Sequence, residues 1–427
     1  MGIRSKNLQA LAHLVFKSPS SPRGKELLQT IKPVLLEYLP KFTRIDISYI
    51  LSSYARKCPD PEVLKAFSNQ ASAYMHLMKE KDLAGILGSL SAMSEDYSQL
   101  YLRAAGRVLE LEFPPKELSL ILNAYSKIPD SGQILQALEP KVIGKKHEFD
   151  SIQLGLVIAS YGKRLPHSKV FKELEEVLLS KNLDKTAKVS VLYWYARSSY
   201  ANSAVVENLS NMLDFEAMNN QELVNTYVAL ALTKSHTENS LAVIESKIKE
   251  NLDELTPQGI ANLLDSQCRL NRATLASFLA EKISKSSYLQ ENCANPLVHL
   301  VMTIHSLSKL QTHTFLIPKL LQNHKSKKIP ATELAIIAYS FCIADLDLPT
   351  EITQQLPQAL PELEKKHIIN LAVNLSKPKY FSSEFWKLFE SYFLEAVRTE
   401  SGVRDSNKIR DSMLNLEKVG YQIQAIK

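Results

Sequence analysis

The feature that most limits what this chain can fold into is a self-similarity with a period near 36 residues, because a period of that length makes repeated supersecondary units the architecture. With Tyr54, Leu90, Tyr125, Tyr161, Tyr195, Leu230, Gln267, Leu307, Phe341 and Leu375 as anchors, successive spacings are 36, 35, 36, 34, 35, 37, 40, 34 and 34 residues. Seven, four and three residues before an anchor the side chain is usually apolar, as in Ile47/Ile50/Leu51, Leu83/Ile86/Leu87, Leu118/Ile121/Leu122, Leu154/Val157/Ile158 and Ile260/Leu263/Leu264. Those offsets trace one stripe along an α-helix. Directly after every anchor stands a small residue, from Ala55 and Ser91 through Gly162 to Cys342 and Ser376, which lets a neighbouring helix approach closely. Eleven residues before the anchor come start signals: Thr43, Pro114, Asp150, Asp184, Asn219, Thr256 ahead of Pro257, and Pro296 after Asn295. These are cap and first-turn residues.

Each unit therefore holds an anchor helix of about 13 residues, roughly 20 Å long. A second amphipathic segment fills the period, as in Glu62 to Leu77, Ser168 to Leu179, Leu241 to Leu252 and Ala273 to Ile283. One such pair cannot bury its apolar stripe alone, whereas a stack of pairs forms a continuous core. The expected fold is all-α, an α-solenoid of about ten stacked two-helix repeats across residues 26–379. The 40-residue step between Gln267 and Leu307 places a longer loop near Ser284 to Asn295. In residues 380–427 the aromatics Phe381, Phe385, Trp386, Phe389, Tyr392 and Phe393 have helical spacing, and the expectation is a C-terminal helical cap over the last repeat's open core. With only 12 Gly in 427 residues and little strand-like alternation, turn-rich β folds and Gly-rich phosphate loops fit poorly.

The chain carries 51 Lys+Arg against 45 Asp+Glu, and residues 1–25 hold five of the basic residues (Arg4, Lys6, Lys17, Arg23, Lys25) and no acid. The remainder is thus almost neutral. Within the leader, Leu8, Leu11, Ala12 and Val15 share one helical face before Ser18-Pro19-Ser20-Ser21-Pro22 breaks the pattern. A basic amphipathic leader of this kind resembles a mitochondrial presequence and implies the matrix as destination; the other reading is an ordinary first helix of the fold. The longest nearly apolar run, Leu334 to Ala344, is far shorter than the roughly 20 residues a membrane-spanning helix needs. Cys58, Cys268, Cys293 and Cys342 lie too far apart for a CxxC pair or a two-knuckle zinc site, which suits a reducing compartment.

Two residues past the anchors stand Arg56, Ala92, Lys127, Lys163, Arg197, Leu232, Arg269, Lys309, Ile343 and Lys377. Seven of these ten are cationic, where composition alone gives about one, so the row belongs to the repeat. In a stacked array, equivalent positions line one edge about 8–10 Å apart and form a positive ladder able to follow a phosphodiester backbone. The competing role for Lys or Arg in a last helical turn is to complement the macrodipole and bond free carbonyls. Tyr193 and Trp194, with Tyr195, sit beside Arg197, a set able to stack on a base and hold its phosphate, although such trios more commonly serve the core. Polar residues just before the anchors (Ser53, Ser89, Ser160, Ser266, Ser306, Ser340, Asn374) and those one step earlier (Ser52, Asn123, Tyr193, Asp265, His305, Tyr339) supply hydrogen-bonding groups for reading single-stranded RNA. Gly88, Ala159, Val228 and Val373 interrupt that second row, so any base code is incomplete. No catalytic motif or metal-ligand spacing emerges among the ten histidines and the acids, and neither a cofactor nor an enzymatic activity is expected.

The helix endings Ser53-Tyr54-Ala55-Arg56, Ala124-Tyr125-Ser126-Lys127, Ser160-Tyr161-Gly162-Lys163, Trp194-Tyr195-Ala196-Arg197 and Ser306-Leu307-Ser308-Lys309 resemble those of the organellar octotricopeptide and heptatricopeptide repeat proteins and the related FAST-kinase-like repeats. The likeness runs from Thr43 to Lys377. It implies paired-helix units that bind RNA in mitochondria or chloroplasts, either as RNA-processing factors or as components associated with the mitochondrial ribosome. Two departures matter. The segment from Tyr380 to Lys427 shows no clear version of the RAP domain in which many members end, and the near-neutral body carries less positive charge than a factor that wraps free RNA. Both favour the alternative of a protein–protein scaffold in a large mitochondrial complex.

Overall fold

A computed structural model describes residues 5–93, 97–284, 296–322, 328–375, 381 and 383–398. All regular structure among them is helical, and no strand occurs. The chain divides into two units, Met1–Leu213 and Asp214–Lys427.

The first unit runs α1 (Ser5–Lys17), α2 (Pro22–Glu37), α3 (Arg44–Lys57), α4 (Pro61–Ala73), α5 (Glu80–Leu90), α6 (Ser98–Glu110), α7 (Pro115–Tyr125), α8 (Gly132–Gly144), α9 (Ser151–Arg164), α10 (Val170–Ser180), α11 (Lys185–Ala196) and α12 (Ser203–Asn211). Each odd-numbered helix packs on the next odd one, from α1 to α11, and each even helix on the next even one. The result is two layers of helix pairs. The second unit runs α13 (Asn220–Thr233), α14 (Glu238–Glu250), α15 (Pro257–Leu270), α16 (Ala276–Ser284), α17 (Pro296–Leu310), α18 (Leu316–Gln322), α19 (Ala331–Ile343), α20 (Thr350–Ala359), α21 (Lys365–Asn374) and α22 (Ser383–Arg398). There α13, α15, α17, α19 and α21 pack in succession, α16 meets α18, and α22 lies on α21.

Seven odd helices, α3, α7, α9, α11, α13, α15 and α17, begin where the start signals stand. Thr43 accepts from the backbone of Asp46, Asp150 from Gln153, Asp184 from Ala187, Asn219 from Glu222 and Thr256 from Gly259, each such cap contributing about 1 kcal/mol. Their stripes are fully enclosed, with Ile47, Ile50, Leu51, Leu118, Leu122, Leu154, Val157, Ile158, Leu263 and Leu264 all at 0% exposure.

The anchors do more than fill space. Tyr54 Oη donates to Leu28 O in α2 (2.6 Å), Tyr125 Oη to Tyr101 O in α6 (2.9 Å) and Tyr161 Oη to Leu135 O in α8 (2.9 Å). Tyr195 Oη donates to the Glu175 carboxylate in α10, and Gln267 Nε2 to Glu245 Oε1 in α14 at 3.1 Å. In all five cases a buried polar tip at the anchor reaches back to the preceding even helix. Such a bond is worth about 1 kcal/mol net, added to the large area an aromatic ring buries. Where the anchor is Leu90 the direction reverses, and Tyr101 Oη donates to Leu87 O at 2.5 Å.

Helix α1 buries Leu8, Ala12 and Val15 while packing on α3. Phe16 stacks on Tyr49 with centroids 4.5 Å apart, and Lys57 Nζ donates to Phe16 O at 2.6 Å. At the other end α22 buries Phe385, Trp386, Phe389 and Phe393. The long loop expected before Pro296, Cys293, and the segment after Arg398 lie outside the described residues.

Candidate nucleic-acid interface

Six of the seven cations that the repeat pattern singles out fall among the described residues, each at or just past the C-terminal end of an odd helix; Lys377 lies outside them. Arg56 is in the last turn of α3, Lys127 stands just past the Ser126 cap of α7, Lys163 is in the last turn of α9 and Arg197 caps α11, all within the first unit. In the second unit Arg269 and Lys309 occupy the last turns of α15 and α17. All six are exposed.

Their partners differ. Arg56 Nε donates to Ser52 O of its own helix (2.9 Å), and Lys127 Nζ to Ser91 Oγ one repeat earlier (3.3 Å). Arg197 lies over the Tyr193 ring at 5.2 Å and donates to its hydroxyl at 3.2 Å. Lys163 Nζ is 5.9 Å from the Trp194 ring centroid, within reach of a cation–π attraction. Burial lowers the Lys163 pKa, and the neighbouring Lys127 and Arg164 lower it further. Only Arg269 makes an ion pair, with Asp265 at 2.7 Å, and it is 49% exposed.

The task of closing helix ends falls to the next residue along. Lys57 bonds the carbonyl of Phe16 at the end of α1, and Arg164 Nε donates to Ser126 O at the end of α7 (2.8 Å). In the even layer Lys141 Nζ donates to Leu109 O (2.9 Å) and Leu111 O (2.5 Å) at the end of α6, and Lys181 bonds Phe149 O beyond α8. Lys57, Arg164 and Lys141 are thus the macrodipole partners of neighbouring repeats, while Lys181 ties down the loop between α8 and α9. Sequence spacing does not reveal them, because the carbonyl each one meets lies about 30 to 40 residues away.

The serine row is turned inward. Ser89, Ser160, Ser266 and Ser340 are buried, and their hydroxyls donate to Gly85 O, Leu156 O, Asn262 O and Ile336 O, four residues back in the same helix. They serve close helix packing and offer nothing to an external ligand. Asn123, Tyr193, Asp265 and His305, one step earlier, are half-buried. Trp194 is half-buried too, and it rests directly on α9: a Cβ at Gly162 would come within 2.6 Å of its ring. The small residue after the Tyr161 anchor is therefore what admits Trp194 to this position.

In the second unit His305 lies edge-on to Tyr339, with centroids 5.2 Å apart, and its Nδ1 is 3.0 Å from Ser340 Oγ. The Ser340 hydroxyl proton is directed to Ile336 O, so Nδ1 carries the hydrogen of that contact and Nε2 is the acceptor. Burial, reinforced by Lys309 and opposed by Asp265, pulls His305 down to about 4. Burial also raises the Cys268 thiol to about 11. An unreactive thiol and a neutral imidazole suit packing and hydrogen bonding.

Among the described residues no three His, Cys, Asp or Glu side chains are grouped to hold a metal, and no helix is long and apolar enough to cross a membrane. Compared with known protein families and with curated proteins, the chain matches no family model and no curated sequence.

Proposed function

We propose that this chain is a non-enzymatic mitochondrial RNA-binding protein built as an α-solenoid of about ten two-helix repeats, acting in RNA metabolism or in association with the mitochondrial ribosome. The observation that carries the reading is that Arg56, Lys127, Lys163, Arg197 and Lys309 recur at equivalent helix ends, exposed and without a carboxylate in ion-pair contact. Exposed cations at a regular spacing are what a phosphate backbone requires. Tyr193 and Trp194 stand beside two of them and supply ring surface for a base. The likeness of the helix endings to octotricopeptide and heptatricopeptide repeats supports the same reading, and the basic amphipathic leader supports the mitochondrial destination.

The test is charge reversal in the full chain. Replacing Arg56, Lys127 and Arg197 by Glu should weaken binding to single-stranded RNA and flatten its salt dependence by about 2 in the slope of log K against log salt. Unchanged RNA retention by the folded triple variant would remove the role assigned to these residues. The near-neutral charge outside the leader favours a second reading, a protein–protein scaffold of a mitochondrial complex. That reading requires a salt-tolerant complex and a co-purifying protein in place of RNA.

A further inference from the structure

Between α9 and α11 the first unit holds a cleft of about 320 Å³, at the small end of the range for ligand sites. Its floor is fixed by two close approaches: a Cβ on Gly155 would lie 3.5 Å from Ala187, and one on Gly162 would lie 2.6 Å from Trp194. The residue offset is the same at both places, so the two helices run parallel and the cleft follows them lengthwise. Ile152, Leu156, Ala159 and Trp194 give it apolar walls. Ile152 is 67% exposed, an isoleucine whose side chain the core does not cover.

The ends of the cleft carry opposite charge. Lys163 and Asn123 line it near the helix C-termini, and Asp184 lines it at the start of α11. Asp184 is fixed as a carboxylate: Ser151 Oγ donates to it at 2.6 Å and Ala187 N at 2.9 Å, and these bonds hold its pKa below the usual range. An anionic group is therefore directed to the Lys163 end. There burial, and after it the charges of Lys127 and Arg164, disfavour the charged form of Lys163, and a phosphate at Lys163 would offset that cost. A flat ring joined to a phosphate matches an indole face beside an ammonium group.

We propose that this cleft binds one nucleotide unit, with the base stacked on Trp194 and the phosphate held by Lys163; the assignment rests on the RNA-binding reading and gives it a defined subsite. The experiment uses the full chain carrying Trp386→Phe, which leaves Trp194 as its sole tryptophan. Adenosine 5′-monophosphate should quench Trp194 fluorescence, whereas ribose 5-phosphate, which has no base, should not. In parallel, Trp194→Ala and the cleft-filling Ala159→Leu should each weaken binding of a single-stranded oligoribonucleotide at least about fivefold, and Trp194→Phe should retain it. Circular dichroism establishes that each variant is folded.

Quenching by the mononucleotide with no oligonucleotide binding would support the cleft as a site for free nucleotides and overturn the RNA-binding reading. Oligonucleotide binding that depends on the cation row but is untouched by Trp194→Ala and Ala159→Leu, with no mononucleotide quenching, would overturn the cleft assignment alone. Absence of both signals would overturn both.

Discussion

At the residue scale, the recurring tyrosines were legible as anchors because a period and an apolar stripe need only one chain to be seen. Their hydroxyl bonds were not legible, since Leu28, Tyr101 and Leu135 accept through backbone carbonyls, and a carbonyl leaves no mark in a sequence. The serines show the opposite failure. Their side chains suggest outward hydrogen bonds, yet a hydroxyl facing a helix partner bonds the carbonyl four residues back, as Ser160 and Ser266 do. His305 is the residue whose burial has the plainest consequence in solution. Folded, it gains a proton only near pH 4, while unfolded it does so near 6.5. Between those values the unfolded state binds more protons, so stability rises with pH across this window, is complete above about 6.5 and is lost as pH falls through 4. His305→Gln should therefore shrink the difference in urea midpoint between pH 7 and pH 5. An NMR titration of the wild-type imidazole that showed an inflection near 6.5 would contradict the burial argument.

At the element scale, helix starts are legible in the sequence because Thr43, Asp150, Asp184, Asn219 and Thr256 are short polar side chains ahead of apolar stripes, and local bonds determine the outcome. The leader is less easily read. Leu8, Leu11, Ala12, Val15 and Lys17 fit a presequence, and they also fit the repeat template of apolar residues seven, four and three before an anchor with a cation two beyond it. One amphipathic pattern satisfies both, so sequence alone does not separate them. In the structure this helix covers α3, stacks Phe16 on Tyr49 and supplies the carbonyl that Lys57 bonds. Deleting residues 1–21 should then cost about 3–5 kcal/mol in the first unit, mainly from the burial of Leu8 and Val15, and lower its thermal midpoint. A truncated chain that melts like the full one would mean that α1 adds nothing to the stack.

At the scale of the whole molecule, the cations among the described residues are unevenly shared: Arg56, Lys127, Lys163 and Arg197 belong to the first unit, Arg269 and Lys309 to the second. The anchor spacing of 35 residues across the division, from Tyr195 to Leu230, gives no sign of it, because the repeat pattern records local helix pairs and not how many of them form one body. RNA affinity should reflect the asymmetry through counterion release. Each phosphate neutralised on a single strand contributes about −0.7 to the slope of log K against log salt. Reversing all four cations of the first unit should therefore remove nearly 3 from the slope, and reversing Arg269 and Lys309 at most about 1.4. Arg269 should contribute less than its share, since its guanidinium already faces Asp265 and must leave that carboxylate to meet a phosphate. Asp265→Asn should accordingly raise RNA affinity while Arg269→Glu barely lowers it. Equal slopes for the two sets of reversals, measured by fluorescence anisotropy of a labelled oligoribonucleotide between 50 and about 200 mM salt, would show that the helix-end row does not track the RNA backbone.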